Sequence, residues 1–247
     1  MATQTSPDSS DASRPSPPIA IDLSFSSHPI SRLLLGSTAL VSALGLGAEL
    51  LKARLKLKDT RGALPLFSLS YEQNLPTFYT CGLLLFCSLL LALIASGERK
   101  KASAYVNHWR FLALGFLYIA FDELVSIHEG LGFFKLSGLL YFSWVIPAAI
   151  VVALLGLSYL RFLLQLPKRS RLMFMAAGAL YVLGAVGMEL PLGYWTEGHG
   201  SDNLGYALID WVEETLEMLG LTLFAPALIE YLAQLRLRLS FSAPPSP

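Results

Sequence analysis

The sequence predicts an all-α, polytopic membrane protein built as a six-helix transmembrane bundle. Hydrophobic residues make up 54% of the 247-residue chain and charged residues only 15%, where a soluble domain carries about a quarter charged. The apolar residues fall in blocks of about 20, the length that crosses a bilayer as a helix. No block shows the apolar and polar alternation of a barrel strand.

The elements follow in chain order. Residues 1–28 are rich in Ser, Pro and Asp and hold no apolar core long enough for a signal peptide. They read as a disordered tail, and so do residues 240–247. Between them, residues 29–239 form the transmembrane domain. Its spans are expected at Leu33–Leu51, Thr77–Ser96, Trp109–Glu129, Tyr141–Leu160, Leu172–Leu190 and Leu208–Ala233. In the first, Thr38, Ser42, Gly45 and Glu49 form a small and polar stripe suited to close helix approach. Pro76 suits a helix entry, Pro191 is expected to limit the fifth helix, and Pro147 and Pro226 are expected to kink theirs. The two cysteines, Cys81 and Cys87, share one span at a spacing that forbids a disulfide and read as buried thiols.

Charge distribution sets the orientation. With six spans, twelve Lys and Arg residues lie on the side of the termini and six on the other. The positive-inside rule then makes both termini cytoplasmic in a multi-pass integral membrane protein. The acids sort the opposite way, thirteen of eighteen falling outside or in the outer leaflet. At about 1.5 Å of rise per residue, Asp122 lies roughly 18 Å beyond Arg110, and Glu217 roughly 20 Å from Glu230. Antiparallel helices therefore bring their carboxylates to one level. Such groups cost about 2.5–3.5 kcal/mol each at a helix centre, which marks the level as the candidate site.

The expected pocket opens to the non-cytoplasmic side. Its candidate metal ligands are Asp122, Glu123, His128, Glu189, Glu213, Glu214 and Glu217, with Glu49, Glu72, Asn74, Ser126 and Trp211 lining it. Tyr118, Asp122, Ser126 and Glu129 share a helix face, while His128 joins it only if the helix unwinds at Gly130 and Gly132. Asp122 and Glu217 carry most of the functional weight. Glu49, Glu129 and Asp210, nearer the span ends, are expected to be solvated. The segment holding Glu72 and Asn74 is expected to fold over the pocket.

Three functions fit such a site. A carboxylate and histidine set suits a hard or borderline divalent cation (Mg, Mn, Fe or Zn), acting on a lipid or another small apolar substrate. A proton- or cation-coupled transporter is the alternative, and a structural or membrane-complex assembly role is the third. The expected partner is the lipid bilayer. No nucleic-acid module, phosphate-binding Gly-rich loop or heme-attachment motif occurs, and no catalytic motif identifies a reaction. Protein partners carry no signature either.

Three stretches together resemble an uncharacterised family of bacterial multi-pass integral membrane proteins. They are YEQNLP (Tyr71–Pro76, E-x-N-x-P), FDELVSIHE (Phe121–Glu129, D-E-x4-H-E) and VEETLEMLG (Val212–Gly220, E-E-x2-E-M). The resemblance covers about residues 30–235 and implies a multi-pass fold without an activity. The carboxylate and histidine architecture is also loosely similar to membrane metal hydrolases that include alkaline ceramidases. This chain lacks their late His-x3-His pair.

Overall fold

Seven α-helices stack as six rods in the computed structural model, which describes residues 19–22, 27–56, 63–127, 130, 134–235 and 238–241. They are α1 (Ser27–Leu55), α2 (Leu75–Lys100), α3 (Val106–Val125), α4 (Val145–Gln165), α5 (Lys168–Val182), α6 (Glu189–His199) and α7 (Leu204–Gln234). A six-residue π segment, Leu183–Met188, joins α5 to α6, so Lys168–His199 is one 32-residue rod. Two four-residue strands, β1 (Ile19–Asp22) and β2 (Arg238–Phe241), pair antiparallel. They lie in or beside the segments that composition assigns to tails. They meet because an even number of rods returns the chain to the end of the bundle where it began.

Five rods are long and apolar enough to cross a membrane. The sixth, α3, has 20 residues, about 30 Å, enough to span. It carries Arg110 near its start and Asp122 and Glu123 in its last turns, which dilute its hydropathy. Large apolar side chains cover the outside: along α4, Leu154, Leu157 and Leu164 are each more than 60% exposed. A water-soluble surface rarely carries so continuous an apolar band, whereas lipid tails accept it.

The buried centre is α7, which packs against α1, α2, α5 and the π segment. Small residues set those approaches. A Cβ on Gly220 would stand 2.8 Å from Tyr181 N, and one on Gly184 would stand 2.8 Å from Glu213 O. Toward the chain-end side, Trp109, Phe162, Phe174 and Tyr231 form a ring cluster joining four helices. Buried Glu98 accepts from the Tyr231 hydroxyl at 3.2 Å, and Glu230 accepts from Ser27 and pairs with Arg169 at 3.1 Å. Glu98 lies inside the last turn of α2.

Several expectations change. The third helix stops at Val125 rather than Glu129, because Ser126 takes the left-handed conformation (φ 53°) and its N–H caps the Asp122 carbonyl. Pro191 does not end its helix. A proline interferes with the carbonyl four residues back, here Gly187, and the π segment supplies the widened turn at that point. Pro147 falls in the first turn of α4, where its missing N–H has no intrahelical acceptor to lose. Cys81 and Cys87 are free and buried, as expected.

Candidate functional site

The α1 stripe faces α7. Thr38 shares a 2.6 Å hydrogen bond with Thr222, and Ser42 one of 2.7 Å with Thr215. Gly45 leaves room for Leu69, whose methyl would otherwise collide with a Cβ there. That contact seats the loop before α2 over the ends of α1 and α7, where Leu69 packs on Val41 and Met218. The loop is fastened by Asn74. Its amide donates to Pro65 O (3.0 Å) and Ser68 O (2.6 Å), and its Oδ1 caps α2 at Thr77 N. Asn74 therefore staples the loop to the start of α2. Glu72, two residues earlier, is exposed.

Carboxylates from five segments meet at this end. Asp210 lies in the field of Glu189, Glu49 and Glu72. Glu213 lies in that of Glu189, Glu217 and Asp210. Glu214 and Glu217 both feel Glu123, the α3 acid acting on them most. Glu189, Glu213 and Glu217 are buried, while Asp122, Glu123 and Glu214 are half-buried. The Tyr181 hydroxyl, one turn before Gly184, lies close to the Glu217 carboxyl. Glu49 is buried and accepts from Ser68, in place of the solvation expected for it. Asp210 likewise has a buried carboxylate oxygen. Trp211 is half-buried and donates to Ser42 O at 2.9 Å, tying α7 to α1.

Counter-charge is scarce. No Lys or Arg occurs between residues 172 and 235 or between 111 and 134. Lys52, at the end of α1, lies in the fields of Glu49 and Asp202 and donates to the Tyr71 hydroxyl at 2.9 Å. Among the described residues, nothing hydrogen-bonds Glu213 Oε2, although it is fully buried.

The metal centre expected on Asp122, Glu123, Glu189, Glu213, Glu214 and Glu217 is not supported. Among the described residues, no group of three His, Cys, Asp or Glu side chains stands as a metal ion requires. The acids of α7 run as a ladder from Asp210 to Glu217, over about 10 Å of helix. Gly184 seats the π segment against Glu213 and Glu217. Ser126 leaves the shared face because it terminates α3. His128 and Glu129 lie outside the described residues. The sequence reading missed Ser68, Leu69 and Tyr181, whose roles depend on contacts across elements. Gly184, a small residue five positions before Glu189, is the sequence signal that could have found the close approach.

The described residues form a helical bundle with an acid-lined end, and five of its rods are long and apolar enough to cross a membrane, the architecture expected of a multi-pass membrane protein. Residues 31–230 match the family described as Domain of unknown function (DUF8692), and the chain belongs to it. No curated protein and no solved structure shows a significant match.

Proposed function

We propose that this protein sits in the membrane with both termini cytoplasmic and acts as a proton-coupled carrier, its carboxylate cluster being the proton-binding site. The observation that carries the reading is the buried, unbonded Glu213 Oε2 amid acids whose strongest charged neighbours are other acids. Like charges at close range cannot all stay ionised without a cation or protons. The span sequences supply no Lys or Arg on α7, on the π segment or on the outer half of α3. Protons meet that need without a chelating geometry. Intramembrane acids of this kind commonly serve as relays in pumps and transporters.

The neighbouring π segment supports the coupling. Such turns are rare and recur at functional sites. This one lies directly on Glu213 and Glu217 through Gly184. A change in the charge of either carboxyl is therefore felt by the element best able to shift its hydrogen bonding between two registers.

The test is infrared difference spectroscopy across an acid-to-alkaline titration in lipid, with Glu213→Gln and Glu217→Gln as variants. Each variant is expected to remove part of the protonated-carboxyl band. In liposomes, an imposed proton gradient is expected to drive a lumenal pH change that the double variant lacks. Identical carboxyl bands in all three proteins would refute proton binding at this site. An intact band without gradient-driven flux would refute the carrier.

A further inference from the structure

At the opposite end of the bundle an open groove of about 710 Å³ runs between the last turns of α2 and the first turns of α3. Its floor is Ala95 and Ala113, both buried, with Ala92 and Leu114 on the walls. Arg99, Lys100 and Arg110 stand at its rim, all exposed. Among the described residues none of the three pairs with a carboxylate. Arg110 donates to Asn107 Oδ1 at 3.3 Å. The nearest acid in sequence, Glu98, is buried on the other side of α2 and bonded to Tyr231. Three cations are thus collected beside an apolar trough with nothing to neutralise them.

We infer that this groove binds an anionic glycerophospholipid of the leaflet at the chain-end side. Two features must coincide for that ligand, and they do. The rim offers two guanidinium groups and an ammonium, and guanidinium matches a phosphate bidentately. Below it, Ala92 lies seven residues, about 10 Å, from Arg99, so a phosphate at the rim lays the first acyl carbons along the alanine floor. Small side chains make the trough. A larger residue at Ala92 or Ala113 would fill it. Basic pockets between helices on the cytoplasmic side bind lipid head groups in this manner. The inference rests on the chain spanning a membrane and is independent of proton binding at the other end.

Native mass spectrometry of the full-length protein, with phosphatidylglycerol and phosphatidylcholine offered together, tests it. Wild type is expected to retain phosphatidylglycerol preferentially. Affinity should fall about fivefold for each cation removed in Arg99→Gln, Lys100→Gln and Arg110→Gln. Removing three cations of the same end outside the groove (Lys101→Gln, Arg161→Gln and Lys168→Gln) should leave the preference in place. Ala92→Phe, which fills an exposed wall and keeps every charge, should lower retention as well. Equal losses in the groove and control triples would overturn the site in favour of bulk charge. So would full retention in Ala92→Phe, or competition by glycerophosphoglycerol lacking acyl chains. Failure of the protein to fractionate with membranes after alkaline extraction would instead remove the spanning premise itself.

Discussion

Adding one carbon at Gly184 should separate the π segment from α7. A Cβ built there stands 2.8 Å from Glu213 O, 2.8 Å from Glu217 Cγ and 3.0 Å from Glu217 N. Carbon contacts are optimal near 3.5–4.0 Å, so the two helices must part by roughly 0.5–1 Å along that line. Two of the three atoms are backbone and cannot rotate away. Overpacking of this kind costs about 1–3 kcal/mol. Gly178, six residues earlier on the same rod, is the internal control, because a Cβ there meets nothing within 4 Å. Alanine is the better helix former by up to about 1 kcal/mol, so Gly178→Ala should be neutral or stabilising. The same propensity gain applies at Gly184, so the difference between the variants is the overpacking alone, about 1–3 kcal/mol. Reversible unfolding of purified protein in mixed micelles measures it. Equal stability of Gly184→Ala and Gly178→Ala would refute the close approach and the seating of the π segment on Glu213 and Glu217.

The hydroxyl pair Thr38–Thr222, 2.6 Å apart and fully buried, should show a coupling of about 0.6 kcal/mol, and at most about 1.7, in a double-mutant cycle with valine. Tyr231→Phe should destabilise by about 1–3 kcal/mol, because Glu98 stays buried after its 3.2 Å partner is gone. Unfolding midpoints of Tyr231→Phe alone and combined with Glu98→Leu separate that loss from lost packing. Arg169→Ala, which removes an ion pair whose arginine side chain is 74% exposed, should change stability by under about 1 kcal/mol, an effect that added salt abolishes.

How much of this could be read from the chain depends on which physics decides each feature. The rods were legible because block length and apolar content fix them. Each expected span lies within a helix except the third, whose end at Ser126 is set by a single left-handed residue, and the fourth, whose helix starts at Val145 rather than Tyr141. The single level of the acids was legible because helical rise alone determines depth. Rotation about the helix axis was not. Lipid is as apolar as the core of the bundle, so hydrophobic periodicity does not say which face of α3 turns inward. That is why Glu123, not the more heavily weighted Asp122, is the α3 acid whose field reaches Glu214 and Glu217. The burial of Glu49 and Glu98 was hidden for a related reason. Each is satisfied by one hydroxyl from a distant element, Ser68 and Tyr231, and a single hydroxyl leaves no pattern in sequence.

The two ends of the bundle are held by different means, and the difference bears on mechanism. At the chain-end side, interlocked rings join α3, α4, α5 and α7, and Glu98 and Glu230 each have a donor. Aromatic clusters and satisfied charges favour one arrangement, because any shift loses ring contacts and strands a carboxylate. The acidic end is joined by glycine contacts at Gly184 and Gly45, by hydroxyl pairs and by a π turn. It also contains a buried carboxylate oxygen with no donor among the described residues. Hydroxyl pairs between membrane helices are worth about 0.6 kcal/mol each, so the proposed carrier would rearrange this end at less cost than the ringed end. A carrier needs such an asymmetry: a fixed frame against which a charged end can move. If the rigid and adaptable ends were reversed, the carboxylates would sit where the bundle has no freedom to respond to them.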